Sequence, residues 1–319
     1  MRKTSTFFVL VLAVAVLTVP FVASTHALPP VTVNEYTGKL GGAYYLIRIP
    51  SNWAGELLVF CRGYSHLEPT PAELASMANL WNSMVVVRGF ALAMSTFGTG
   101  GTCIKEGMIR THQLTEYVIN NYGVYGHVYL FGASMGGNIA LNLGAKYPDL
   151  YDCVLDMFGS KNSIAQYNDK LFYTNTPNDV VLAQEVLNRG GLVPPFPSAT
   201  IADFRIFCQN AVSDTVLAYG GTPTEKPQAY ERYSPIFSST DIEIPTITIH
   251  GTKDAYVPYS QSVDFMNAVN DAGHSDMYRL YKVTNGQHGN SLTLAGMPLV
   301  IGYLINWVEN GVAPPPSNP

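Results

Sequence analysis

The stretch "VYLFGASMGGNIAL", residues 128–141, decides the fold, because a short apolar run meets a cluster of small residues around one serine, Ser134. The apolar run is typical of a buried strand, and the residues after Gly136 are typical of a helix. So tight a turn forces its middle residue into a strained backbone conformation, for which Gly132 and Gly136 leave room. We therefore expect the hydroxyl of Ser134 to stand above one end of a sheet.

Strand-like and helix-like segments alternate on both sides of this turn. The apolar runs that predict strands cover residues 43–50, 56–63, 90–97, 127–132, 152–159, 245–251 and 277–283. Helical patterns lie between them, at residues 71–87, 105–122, 135–147 and 260–273. Near-continuous apolar strands separated by helices predict a mostly parallel sheet covered on both faces. The sequence therefore predicts a doubly wound α/β fold.

The segment between Gly159 and Pro245 breaks this alternation. It has no strand pattern, but residues 178–188 and 200–219 carry helical periodicity on either side of a "PPFP" hinge at residues 194–197. A structureless loop of this length is uncommon inside a compact domain. We therefore predict an inserted helical lid that packs over one end of the sheet.

The first residues have the pattern of an export signal. Basic residues at the start are followed by an apolar run, residues 7–19, and by small residues at Thr25 and Ala27 that suit cleavage. A retained membrane anchor is the alternative, because the apolar residues 7–23 approach the length of a spanning helix. In both cases the rest of the protein lies outside the cytoplasm and contacts a membrane only through this segment.

The predicted organisation is thus a signal peptide, a core in two pieces, a lid and a short flexible tail. The tail, "APPPSNP", has the composition of a solvated end. In chain order, the signal peptide, first core piece, lid, second core piece and tail cover residues 1–27, 28–159, 160–239, 240–313 and 314–319.

The composition is that of a globular protein with a large core. The chain has 319 residues, 47% of them hydrophobic and 13% charged, and a formal net charge of -5. It has no run of Lys and Arg to bind phosphates, so we expect no nucleic-acid partner. It also lacks the CxxC, Cys/His and HExxH patterns of zinc sites. We expect neither a metal nor a cofactor.

Four cysteines in an exported chain permit disulfides, although they are few for its length. Cys61 and Cys153 lie in apolar strand-like runs and are expected to be buried as hydrophobic side chains. Cys103 and Cys208 lie in a loop and a predicted helix. They are the pair that we expect to be bonded.

A serine nucleophile needs a histidine base and an acid that orients the base. On a sheet of this kind the chain order is serine, acid, histidine, with the last two on loops after later strands. Asp254, in "GTKDAYVP", follows the predicted strand 245–251, and His288, in "NGQHGNS", follows the strand 277–283. Ser134, Asp254 and His288 are therefore the predicted catalytic residues.

The other histidines fit the role of the base less well. His250 lies within a strand and is expected to be a buried, hydrogen-bonded support. His66 follows the second predicted strand and is a candidate for lining the pocket. The remaining ones come too early in the chain or before the last strand, namely His112, His127 and His274.

Two backbone N–H groups are expected to stabilise the oxyanion that forms on a substrate carbonyl. The first is that of Met135, at the start of the helix after the serine. The second should come from a loop after an early strand. In "VFCRGYSH", residues 59–66, we expect it to be the N–H of Tyr64, with Gly63 permitting the turn.

Three short motifs resemble the signature sites of the α/β-hydrolase superfamily: Ser134 in "GASMGG", Asp254 in "HGTKDAYVP" and His288 in "GQHG". The resemblance covers about residues 40–310. It is greatest to the branch with prolyl-oligopeptidase-type domains, feruloyl esterases and dienelactone-hydrolase-like enzymes. It implies the α/β-hydrolase fold and a Ser-His-Asp triad. Where such relatives often have His-Gly at the oxyanion loop, this chain has Arg62-Gly63.

We therefore expect a secreted serine hydrolase that cleaves small-molecule or polymeric carboxylic esters through an acyl-enzyme. A serine peptidase of the same fold is the first alternative, and a non-catalytic extracellular binding protein is the second. An ester is favoured because there is no large accessory domain to screen peptides. Lid aromatics either select an apolar acyl or aryl group or pack the lid onto the sheet: Phe172, Tyr173, Phe196, Phe204 and Phe207.

Overall fold

The structure, a computed structural model, describes residues 30–83, 86–192, 200–289 and 296–318. The predicted signal peptide and the "PPFP" hinge lie outside these ranges. Within them, no helix combines the length and the apolar character that crossing a membrane requires.

An eight-stranded sheet forms the centre of the described chain. Its strands are β1 (Val33–Leu40), β2 (Ala43–Pro50), β3 (Leu57–Cys61), β4 (Ala91–Ser95), β5 (Val128–Ala133), β6 (Cys153–Met157), β7 (Thr246–Gly251) and β8 (Tyr278–Val283). Their spatial order is β1-β2-β4-β3-β5-β6-β7-β8. The pairs β1–β2 and β2–β4 are antiparallel, and the pairs from β4 to β8 are parallel. The predicted doubly wound α/β fold is confirmed.

Helices cover both faces of the sheet. They are α1 (Pro71–Asn82), α2 (Ile104–Val118), α3 (Met135–Lys146), α4 (Ser163–Thr174), α5 (Asp179–Asn188), α6 (Ile201–Tyr219), α7 (Pro227–Arg232), α8 (Ser260–Asp271) and α9 (Met297–Asn310). Successive residues of β3 point to opposite faces, so Leu57 and Val59 pack with α2, α3 and α8. Leu58 and Phe60 pack with α1 and α9. The core therefore consists of two apolar layers that share the sheet.

The helices α4 to α7 fill the segment between β6 and β7, where the sequence predicts a lid. A buried ion pair fixes the start of this segment: Lys161 Nζ lies 2.6 Å from Asp156 Oδ2. Lys161 also donates to the carbonyl of Gly159 at 2.6 Å, and the Thr248 hydroxyl donates to Asp156 at 2.8 Å. Loss of either partner would leave a buried charge uncompensated, so the pair holds the first lid residues at the end of β6.

The four cysteines are buried free thiols, so the prediction of a Cys103–Cys208 disulfide was wrong. Cys103 Sγ lies 3.5 Å from Nη2 of Arg62, beneath the loop that follows β3. Cys208 lies in the apolar core of the lid with Tyr173 and Phe204. Burial raises the pKa of Cys208 to about 12, which keeps it protonated and unreactive.

The C-terminal segment is docked rather than solvated. The backbone N–H of Asn318 donates to the carbonyl of Leu280 at 3.0 Å, and Leu280 N–H donates to Ser317 Oγ at 2.9 Å. The Tyr281 hydroxyl donates to the carbonyl of Pro315 at 2.6 Å. β8 is an edge strand with unpaired backbone groups, and the tail satisfies some of them instead of extending into solvent.

We predict that the turn around Ser134 does not tolerate a methyl group. A Cβ at Gly132 would overlap the carbonyl oxygen of Gly136, whereas a Cβ at Gly302, on α9, would meet nothing within 4 Å. Gly132→Ala should lower the free energy of unfolding by about 1–3 kcal/mol. Gly302→Ala should leave it unchanged or raise it by up to about 1 kcal/mol. Urea denaturation measures both, and equal stabilities of the two variants would contradict the packing described.

Candidate active site

Ser134 occupies the turn between β5 and α3. Its backbone has φ 57° and ψ −123°, a conformation that is strained for a residue with a side chain. Two hydrogen bonds hold it there: Ser134 N–H donates to the carbonyl of Met157, and Gly137 N–H donates to that of Ser134, each at 2.9 Å. The predicted strand–turn–helix geometry is therefore present, and it sets Ser134 at the carboxyl end of the parallel strands.

Asp254 lies on the loop after β7, and its carboxylate is fully enclosed. One oxygen, Oδ1, accepts the backbone N–H groups of Tyr256 and Val257 at 2.8 and 2.9 Å. The other, Oδ2, lies 2.7 Å from His288 Nδ1 and 3.2 Å from His250 Nε2. Each oxygen thus has two partners, which fixes the orientation of the carboxylate.

These contacts settle the charge of Asp254. Burial alone would raise its pKa, but His288 and His250 outweigh burial and hold the pKa well below its usual range. Asp254 is therefore ionised at neutral pH. An ionised carboxylate is an acceptor only, so the Nδ1 of His288 carries a proton toward it.

His250 is the buried, hydrogen-bonded support that its place in a strand predicts. Its Nε2 faces two acceptors, Asp254 Oδ2 at 3.2 Å and the carbonyl of Val257 at 3.0 Å, so this nitrogen carries the proton. Its Nδ1 lies 2.6 Å from Ser262 Oγ and accepts that hydroxyl. Burial lowers the pKa of His250 and keeps the ring neutral.

His288 lies just after β8, and its ring is held between two aromatic side chains. Tyr256 stacks on it with centroids 5.2 Å apart, and Phe158 meets it edge-on at 4.6 Å. Phe158 itself has a positive φ of 47°, an uncommon conformation for a bulky residue. With Nδ1 bonded to Asp254, the ring nitrogen that does not contact the carboxylate is Nε2.

Ser134 and His288 line one groove of about 610 Å³. Its walls are mostly apolar, with side chains from β3, α1, the β6 end and α9. The lining includes Gly63, Tyr64, Leu80, Ala133 and Gly289 beside the two candidate catalytic residues. The other lining residues are Phe60, Met77, Trp81, Met157, Phe158, Phe207, Tyr256 and Met297. An apolar cleft with few polar groups is typical of a small-molecule site.

The loop after β3 runs beside Ser134. A Cβ on Gly63 would lie 3.4 Å from the Cβ of Ser134, in ordinary van der Waals contact, so the loop backbone lies directly beside the serine. Beneath the loop, the guanidinium of Arg62 is buried and donates to the carbonyl groups of Thr96, Thr99 and Gly63 at 2.7–3.0 Å. Sequence reasoning noted Arg62 only as a departure from His-Gly. In the structure, its guanidinium fixes the loop by bonding these three backbone carbonyl groups.

The bond from Arg62 to Gly63 also orients Tyr64. The Gly63 carbonyl and the Tyr64 N–H belong to one planar trans peptide, in which the two groups point in opposite directions. Because Arg62 Nη1 holds the carbonyl at 2.9 Å, the N–H of Tyr64 is directed away from the guanidinium. Tyr64 lines the groove together with Ser134.

The same loop is tied to the lid. The Tyr64 hydroxyl donates to Asp214 Oδ2 at 2.5 Å, and His66 Nδ1 lies 2.9 Å from the same oxygen. Asp214 lies on α6, so one lid carboxylate holds two side chains of the loop. His66, a candidate for lining the pocket, is absent from the lining of the groove and pairs with Asp214 instead.

The lid aromatics have different roles. Tyr173 and Phe204 are buried in the core of the lid, which is the packing role, whereas Phe207 lines the groove. Phe172 is exposed and lies against Arg189, whose guanidinium carbon is 3.7 Å from its ring centroid. Phe196 lies outside the described residues.

We predict that protonation of Asp254 lowers the free energy of unfolding at low pH. Its folded-state pKa is depressed, so between that value and the unfolded value of about 3.9 the unfolded chain binds more protons. Stability is therefore full above the unfolded pKa and is lost as the pH falls toward the folded one. Urea denaturation at a series of pH values should show a flatter acid limb for Asp254→Asn than for the wild type.

The exposed Asp264 on α8 is the control, and Asp264→Asn should keep the wild-type profile. Parallel curves for Asp254→Asn and the wild type would contradict the assignment.

Comparisons with solved structures show a shared fold at low identity. A puromycin hydrolase matches with 14% identity and a TM-score of 0.60, over 87% of this chain and 39% of that one. An acylaminoacyl peptidase from Pyrococcus horikoshii matches with 15% identity and a TM-score of 0.53, over 83% and 39%. An esterase from Pyrococcus furiosus matches with 12% identity and a TM-score of 0.54, over 87% and 92%. The chain thus spans well under half the length of the first two proteins and nearly all of the third.

Sequence comparison identifies the family. The search of curated proteins finds no similar sequence. The BD-FAE family model, however, matches residues 56–269, which is more than half of the chain. This range contains Ser134, Asp254 and the loop with Arg62 and Tyr64. The chain belongs to the BD-FAE family and, with its fold, to the α/β-hydrolase superfamily.

Proposed function

We propose that this protein is an exported serine hydrolase that cleaves carboxylic esters. The observation that carries the proposal is the Asp254–His288 contact of 2.7 Å at the wall of the groove into which Ser134 opens. Export is supported by the basic and apolar pattern of residues 1–27, which lie outside the described residues.

In the first half-reaction, Nε2 of His288 takes the proton of Ser134 as Oγ attacks the ester carbonyl carbon. The charge that develops on the carbonyl oxygen is stabilised by the N–H groups of Met135 and Tyr64. Asp254 stabilises the imidazolium and holds it in the required tautomer. The C–O bond then breaks, and His288 gives its proton to the departing alcohol.

In the second half-reaction, water replaces the alcohol. His288 removes a proton from the water, which attacks the acyl-enzyme carbonyl, and the proton then returns to Oγ of Ser134 as the acid leaves. Every proton is thus carried by His288. The neutral His250 donates a hydrogen bond to Asp254 and takes no part in the proton transfers.

An ester is a better candidate than a peptide. The residues lining the groove, within the described part of the chain, include no carboxylate that could bind the free amine of a peptide. Cleavage of aminoacyl anilides in preference to esters of matched size would favour the peptidase alternative.

We predict that Ser134→Ala removes ester hydrolysis. Loss of a serine nucleophile lowers kcat by about 10⁴-fold or more in enzymes of this mechanism. The variant should also fail to react with a fluorophosphonate probe that labels the wild type. Ser239, a buried serine in the segment before β7, supplies the control, since Ser239→Ala should retain labelling. A folded wild type that forms no adduct at Ser134 would instead support a non-catalytic binding protein.

We predict that Arg62→Met lowers kcat by about 10²-fold, because an oxyanion donor that is lost or misdirected costs this much. KM should change little, since the donor acts mainly on the transition state. Arg48→Met is the matched control: Arg48 is also buried, but it bonds Glu35, Asn79 and Asn82 away from the groove. Rates are compared per folded molecule, and circular dichroism gives the folded fraction of each variant. Equal kcat in folded Arg62→Met and Arg48→Met would contradict this role.

A further inference from the structure

A second cavity also reaches Ser134 and shares Tyr64, Phe207 and Tyr256 with the lining of the groove. It is small, with a volume of about 70 Å³, and is bounded by the turn after β5, the oxyanion loop and the lid. We call it the chamber. Its lining includes Tyr64, Ser134, Met135, Ala211, Thr215 and Tyr219. Both residues proposed as oxyanion donors, Tyr64 and Met135, belong to this lining, but His288 does not.

The walls of the chamber are fixed by hydrogen bonds between the lid and the core. Thr215 of α6 lies 2.9 Å, oxygen to oxygen, from Thr102 in the loop before α2. Gln166 of α4 donates to the carbonyl of Tyr256 at 2.7 Å. Tyr219 also lines the chamber, and its ring packs against that of Tyr230 at a centroid distance of 4.4 Å. The size of the chamber is therefore set by the closed lid.

The position of His288 decides which part of an ester enters which cavity. His288 must protonate the leaving alcohol, so the alcohol oxygen has to lie on the His288 side of Ser134. That side is the groove. The acyl chain leaves the carbonyl carbon away from the alcohol oxygen, and the chamber is a cavity that reaches Ser134 without being lined by His288.

We propose that the chamber is the acyl subsite and that this protein cleaves short-chain acyl esters of large, apolar alcohols or phenols. The inference rests on the proposed ester hydrolysis at Ser134. A chamber of about 70 Å³ holds roughly five water-sized groups, enough for a chain of about two to four carbons. The groove, with about 610 Å³, accommodates an aromatic or branched alcohol.

The first test uses two esters of equal size whose acyl and alcohol parts are exchanged. They are 2-(1-naphthyl)ethyl acetate and its isomer methyl 3-(1-naphthyl)propanoate, which both release an unactivated alkyl alcohol. We expect the acetate to have a kcat/KM at least about tenfold higher, after correction for alkaline hydrolysis, because misplaced apolar groups cost this much in a fitted pocket. A preference for the naphthylpropanoate would overturn the assignment of the chamber.

The second test narrows the chamber. Ala211 of α6 lines it, whereas Ala218 of the same helix is exposed and lies outside it. Ala211→Leu should lower kcat/KM for 2-(1-naphthyl)ethyl butanoate relative to the acetate by about tenfold. Ala218→Leu should leave that ratio unchanged. An unchanged ratio in folded Ala211→Leu would show that the acyl chain does not enter the chamber.

Failure of the inference is distinguishable from failure of the proposed function. If both naphthyl esters are cleaved and Ser134 reacts with the fluorophosphonate, the function stands and the preference alone decides the inference. If neither ester is cleaved and Ser134 is not labelled, the proposed function fails, and the chamber assignment fails with it.

Discussion

The site depends on one buried carboxylate. Asp254 is removed from water, and a buried charge is costly unless it is paired and hydrogen-bonded. Here two backbone N–H groups from the loop after β7 and two imidazoles, one from β7 and one from the segment after β8, surround it. That requirement orients His288, fixes its protonated nitrogen and leaves the other nitrogen for the groove. It also explains the second histidine, His250 in β7, which donates a hydrogen bond to Asp254 Oδ2 and stays neutral.

The loop after β3 is constrained from two directions. From below, Arg62 donates to three backbone carbonyls, including that of Gly63, and so fixes the orientation of the Gly63–Tyr64 peptide. From above, Asp214 on the lid binds the side chain of Tyr64. In the proposed mechanism, the lid thus bounds the acyl chamber and, through Asp214, also holds the residue proposed to stabilise the oxyanion.

Local patterns predicted the fold well, because strands buried on both faces and the glycine-lined turn at Ser134 leave strong signals. β1 lay outside the predicted strands, since it is an exposed edge strand with few buried side chains. The Cys103–Cys208 pairing failed because sequence position carries no information on the distance between two thiols. The Asp214–Tyr64 contact joins residues 150 positions apart, and only coordinates can bring them together. By contrast, the i,i+4 spacing of His250 and Asp254 was a signal of their contact that could have been used.

The central claim is that Ser134, Asp254 and His288 act as one unit. The most direct measurement is a double-mutant cycle on kcat/KM for an ester, with Ser134→Ala, His288→Ala and the double variant. Residues of one catalytic unit lose their effect together, so the double variant should be no slower than either single variant. Losses that add, with the double variant slower than both single variants by the product of their effects, would show that the two residues act independently and would contradict the account.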